Sequence, residues 1–155
     1  MRGVRQKQQM SINLNTMPKL GFGLMRLPEK DGRIDIAHVS SMVDAYMQAG
    51  MNYFDTAYVY HGGNSEKAIR EALVSRYPRD RFMLATKLPA WCLKEPADRD
   101  RIFNEQCERC GVDYFDFYLL HSIEDGNIDV YEKLDCFRWG LQKKAEAQPS
   151  AWRVN

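Results

Sequence analysis

Three apolar runs in this chain each end on a polar residue able to do chemistry: residues 52–55 end at Asp55, 82–87 at Lys87 and 115–121 at His121. These ends lie 32 and 34 residues apart. A strand, a loop and a returning helix together occupy about 30 residues, so the spacing predicts successive βα units whose parallel strands finish on Asp, Lys and His. In parallel α/β folds the chemistry sits at those strand ends.

The segments between the runs fit that reading. Residues 20–24 make a first strand. Asp35 is placed to cap a helix carrying Ile36, Val39, Met42, Val43, Tyr46 and Met47 at helical spacing, stopped by Gly50. Asn64 or Ser65 caps a second helix that presents Ala68, Ile69, Ala72 and Leu73 and ends before Pro78. A third begins near Pro96 and Asp98, turns Ile102, Phe103, Cys107 and Cys110 inward, and stops at Gly111. Asp129 caps a fourth with Val130, Leu134, Phe137 and Leu141 inward. Four such units fit either an open doubly wound sheet or part of a closed eight-unit barrel. No GxGxxG follows the first strand, which weakens the dinucleotide-binding open sheet. A barrel needs about 250 residues, and 155 supply half of one.

With 45% apolar residues the chain can bury one core, and nothing marks a break between domains. A net charge of +1 argues against a dedicated nucleic-acid surface and leaves a small molecule or protein as the partner class. Arg2, Arg5 and Lys7 precede no apolar stretch, so the start does not read as a secretory signal, and residues 1–16 read as a flexible leader. No run of about 18 apolar residues spans a membrane. A cytoplasmic location is the expectation. Cys92, Cys107, Cys110 and Cys136 suit a reducing compartment, and the Cys107–Cys110 pair lies on one helix face without the further ligands a metal site needs.

On one rim, Asp55, Lys87 and His121 are joined by Tyr60 from the loop after the second run. Hydride addition to a carbonyl builds negative charge on oxygen, and a proton must come from a group within hydrogen-bond reach. Tyr60 is placed to be that donor. A free phenol titrates near about 10, so it needs a cation to favour the phenolate. Lys87 supplies the cation, Asp55 holds the lysine charged, and His121 positions the oxygen or shares the proton. Tyr58 competes for the donor role but reads as a packed aromatic. His61 reads as a polar loop residue and His38 as a structural one. Trp91 is placed to wall a substrate pocket or to act as a lid. Gly62 and Gly63 read as turn geometry rather than an anion cradle.

Pro18 to Gly23, Tyr53-Phe54-Asp55-Thr56-Ala57, Tyr60, Glu66, Ala85-Thr86-Lys87, Gly111-Val112-Asp113-Tyr114 and Leu119-Leu120-His121 together resemble the aldo/keto reductase family. The resemblance runs to about Glu146 and implies an α/β fold, the TIM (β/α)8 barrel, with about the first four βα units present as a half-barrel. It implies Tyr60 as proton donor, Lys87 and Asp55 as its tuning pair, and His121 as the group orienting the carbonyl. It also implies NADPH or NADH as cofactor and a small aldehyde or ketone as substrate. In this family most cofactor contacts come from the second half of the barrel, so the cofactor-binding residues are not identified within this chain. The wording is similar to the branch carrying a C-terminal ferredoxin-like cluster, yet no such cysteine group follows, and neither an iron–sulfur cluster nor another metal is expected. From residue 147 to 155 the pattern departs from the family, as in a truncated or frame-shifted product. Such a chain is expected to have little activity alone, or to be an inactive half-barrel that self-associates through exposed sheet edges.

Overall fold

A computed structural model describes residues 17–146; the leader assigned to 1–16 and the tail assigned to 147–155 lie outside the described residues. The chain opens with β1 (Phe22–Gly23), then a hairpin of β2 (Glu29–Lys30) and β3 (Arg33–Ile34). Its turn is Asp31-Gly32, with φ of 52° and 74°, the left-handed pair that a two-residue hairpin turn requires. This hairpin was not among the expected elements. Helix α1 (Ile36–Gln48) follows, and the Asp35 carboxylate accepts the His38 amide at 3.0 Å as its cap. Its buried residues are Val39, Val43 and Tyr46, the two valines contributing about 1.5–3 kcal/mol each.

Strand β4 (Tyr53–Asp55) leads through a short turn into α2 (Asn64–Ile69), which runs on as a wider π turn over Arg70–Val74. Neither Asn64 nor Ser65 caps α2 with its side chain. Gly63, at φ 89°, occupies the cap, while the Ser65 hydroxyl is buried against Thr56 and the Leu24 carbonyl. Strand β5 (Met83–Pro89) reaches two residues beyond Lys87, and α3 (Ala97–Cys110) ends at Gly111, whose φ of 70° closes the helix. Strand β6 (Phe117–His121) is followed by two helices instead of the single one expected, α4 (Ile128–Lys133) and α5 (Cys136–Glu146). The break is at Asp135, with φ 52°. It rotates the helical face, so Tyr131, Cys136 and Trp139 are buried while Phe137 and Leu141 are exposed.

The sheet order is β1-β4-β5-β6, with every pairing parallel. Side chains alternate across a strand, so Phe54, Leu84, Leu88 and Tyr118 meet the helices in the main core. Met83, Ala85 and Phe117 form a second cluster with Met17, Tyr53 and Leu119 on the other face. On that face Met83, Ala85 and Phe117 are buried against one another. Asp55, Lys87 and His121 have the same parity as this second set, two residues beyond Tyr53, Ala85 and Leu119. The strand ends therefore carry them onto the concave face at one rim.

Candidate active site

Lys87 is the centre of the rim. Its ammonium donates to Asp55 Oδ1 at 2.5 Å, to the Thr56 carbonyl at 2.7 Å and to the Tyr60 hydroxyl at 3.2 Å. An ammonium has three N–H donors, and each finds a partner. The same nitrogen lies 4.7 Å from the centre of the Tyr60 ring. Parallel pairing of β4 with β5 brings Asp55 beside Ala85, and the extra length of β5 lets Lys87 reach back across it.

The His121 ring stands edge-on to Tyr60, with centroids 5.8 Å apart, and 5.1 Å from the Trp91 ring. Burial, then the neighbouring Lys87 charge, pushes the imidazole below its ordinary value, with Asp55 opposing. Its Nδ1 is buried with no partner. A bare lone pair is tolerated there more readily than an N–H, which favours the tautomer carrying its proton on Nε2. A neutral ring with one N–H can donate to an oxygen without competing for the Tyr60 proton. Trp91 is 56% exposed and covers one side of this ring.

Tyr58 points away from the rim, donating to Glu105 at 2.6 Å and stacking under the Arg109 guanidinium at 4.3 Å. His38 is exposed rather than part of the core. His61 has a larger role than a loop polar residue: its Nε2 accepts the Leu27 amide at 3.0 Å while Nδ1 bonds Glu29 at 3.0 Å, tying the hairpin to the loop that carries Tyr60. The Gly62–Gly63 pair makes a turn. The Gly62 amide bonds the Val59 carbonyl, and a Cβ at Gly63 would lie 3.0 Å from Arg109. The cysteines are free, and burial raises the Cys107 and Cys136 thiols to about 11 each.

Behind Lys87 is a buried polar cluster that sequence reasoning left without a role. Glu66 is fully buried and accepts from the Thr86 hydroxyl at 2.8 Å and the Gln106 amide at 2.9 Å. Gln106 also reaches the Lys87 carbonyl at 3.1 Å and receives the Tyr118 hydroxyl at 2.6 Å. Gln106 carried no signal in the helical pattern of α3, because its partners come from other elements.

Asp55, Tyr60, Lys87 and His121 thus meet on one rim, with Trp91 beside them. The arrangement offers a cation-backed hydroxyl and a neutral imidazole donor, the pair that a carbonyl oxygen gaining negative charge requires. It fits the reacting end of a nicotinamide–carbonyl pair.

Residues 19–137 match the model of the aldo/keto reductase family. Aldehyde reductase YPR1 of Saccharomyces cerevisiae is 30% identical over an alignment covering 88% of this chain and 46% of that protein. L-galactose dehydrogenase of Arabidopsis thaliana is 32% identical, with 71% of this chain and 36% of the relative covered. An aldo-keto reductase from Klebsiella pneumoniae, solved in complex with NADPH, matches with a TM-score of 0.63 and 26% identity over 89% of this chain and 45% of that one. The chain spans about half or less of the length of these relatives.

Proposed function

The chain belongs to the aldo/keto reductase family, and on that footing we propose that its rim is the reaction centre of an NAD(P)H-dependent reductase of small aldehydes or ketones. The observation that carries this is the Lys87 ammonium bonded at once to Asp55 and to the Tyr60 hydroxyl. A bound nicotinamide supplies hydride to the carbonyl carbon. Tyr60 gives its proton to the carbonyl oxygen, and the ammonium 3.2 Å away stabilises the charge left on the phenol oxygen. Asp55 holds that ammonium in place. His121 donates from Nε2 to the same carbonyl oxygen and aligns it, and Trp91 limits water on its flank.

The four described βα units hold the proton-transfer groups, while the relatives and the Klebsiella structure extend over about twice this length. Weak turnover by the 155-residue chain alone is therefore expected, with NADPH oxidation in the presence of 4-nitrobenzaldehyde as the assay. Supplying the remaining strands of a matched relative as a second chain is expected to restore turnover, and Tyr60→Phe to lower it by about 10²–10⁴-fold. Turnover indifferent to Tyr60→Phe would overturn the reading, and brisk turnover by the chain alone would overturn its dependence on the further strands.

A second reading is favoured by the outer edges of β1 and β6, unpaired among the described residues, together with Phe137 and Leu141 exposed on α5. In it the chain is a catalytically silent half-barrel that associates with a second copy of itself.

A further inference from the structure

The register between β5 and β6 ends at the pair Pro89–His121. At that point one side chain gathers the backbone of both strand ends. The hydroxyl of Tyr131, a fully buried residue of α4, lies 2.8 Å from the His121 carbonyl and 2.8 Å from the Leu88 carbonyl, and it accepts the Ala90 amide at 3.0 Å. One oxygen therefore joins the last turn of β5, the end of β6 and the start of the turn carrying Trp91.

We propose that Tyr131 is a positioning residue for the rim: its hydroxyl fastens the ends of β5 and β6 and thereby fixes where the His121 ring stands between Tyr60 and Trp91. The functional meaning rests on the reading of His121 as the group that orients the carbonyl. The geometry does not. His121 and Trp91 are each attached to backbone that this hydroxyl holds, and their rings meet at 5.1 Å. With the hydroxyl gone, the Ala90 amide and two carbonyls are left buried without their partner, a situation relieved by opening the strand ends to water.

The test uses the full chain and no turnover. Titration of the histidine rings by NMR is expected to find His121 below the ordinary value of about 6.5 in the wild type, and moving up toward that value in Tyr131→Phe as the ring is wetted. Lys87, Asp55 and Tyr60 are the charged or titratable groups facing it, and all are unchanged in this variant. Amide exchange at Ala90 is expected to rise by about tenfold or more. Tyr46→Phe is the matched control, because the Tyr46 hydroxyl bonds the Leu20 carbonyl at 2.6 Å and the Tyr53 carbonyl at 3.0 Å at the opposite end of the sheet. It should lower the melting temperature and leave His121 where it is. An unmoved His121 titration in Tyr131→Phe, or an equal movement in Tyr46→Phe, overturns the proposal. Should Tyr131→Phe fail to fold, the wild type still decides: rapid exchange of the Ala90 amide there overturns it, and strong protection supports it. None of these outcomes depends on whether the chain reduces a carbonyl.

Discussion

Glu66 bears on the rim without touching it. It is a carboxyl with no exposed surface, and burial pushes its pKa above the ordinary 4.5, outweighing the hydrogen bonds from Thr86 and Gln106 and the Arg109 charge. Arg109 approaches only to 3.5 Å. A carboxyl that holds its proton more tightly when folded makes the folded state the better proton binder, so stability falls as pH rises from about 4.5 through the raised value. Glu66→Gln keeps an oxygen for Thr86 and Gln106 and removes the charge. Its melting temperature relative to wild type is expected to shift in its favour as pH is raised from about 4 to 7. A gap that stays constant across that range would sink burial as the governing effect on Glu66.

Between elements, the starts of β5 and β6 are joined by one ion pair. Arg79 donates to Asp116 at 2.6 Å, and the same carboxylate oxygen accepts the Leu84 amide at 2.8 Å. The guanidinium also lies over the Tyr114 ring at 3.9 Å. Burial raises the Asp116 carboxyl more than Arg79 lowers it, so the pair needs its cation. Arg79→Ala leaves a buried carboxylate uncompensated and is expected to cost about 3 kcal/mol, read as a lower urea midpoint with an unchanged slope. A loss below about 1 kcal/mol would show the pair to be replaceable by water. Helices α1 and α3 were legible in the sequence because their stop signals are local: Gly50 and Gly111 adopt left-handed φ of 80° and 70°. The rim was legible for a related reason. Asp55, Lys87 and His121 close apolar runs, and strand parity alone puts them on one face. The helix after β6 was not legible in the same way. Val130, Leu134, Phe137 and Leu141 keep a continuous helical period in the sequence, but the single left-handed residue Asp135 resets the phase and buries Trp139 against Tyr118. Gln106 and Tyr131 escaped notice because their partners are backbone and side-chain groups of other strands, fixed only by tertiary packing.

At the scale of the molecule, the four parallel strands have no neighbour on the outer edges of β1 and β6 among the described residues. Unpaired edges template further pairing, and the concave face has already closed on itself through Met83, Ala85 and Phe117. Exposed apolar side chains occur elsewhere, as at Leu20, Met25 and Met42, and one group of them lies on the flank beside β6. Phe137 and Leu141 are 44% and 59% exposed one helical turn apart on α5, with Ile123 and Ile128 also exposed nearby in the chain. A two-fold axis along the sheet axis would set β6 of one copy beside β1 of the other twice over, keeping all strands parallel and covering both flanks. Size-exclusion chromatography with light scattering is expected to return a mass about twice that of the chain. Phe137→Asp combined with Leu141→Glu should shift it to one, since neither side chain is part of the buried core. If the unmodified chain ran as a stable, well-folded monomer, exposed edges and an apolar flank would be tolerated without a partner, and the closing of two half-barrels into one would have to be given up.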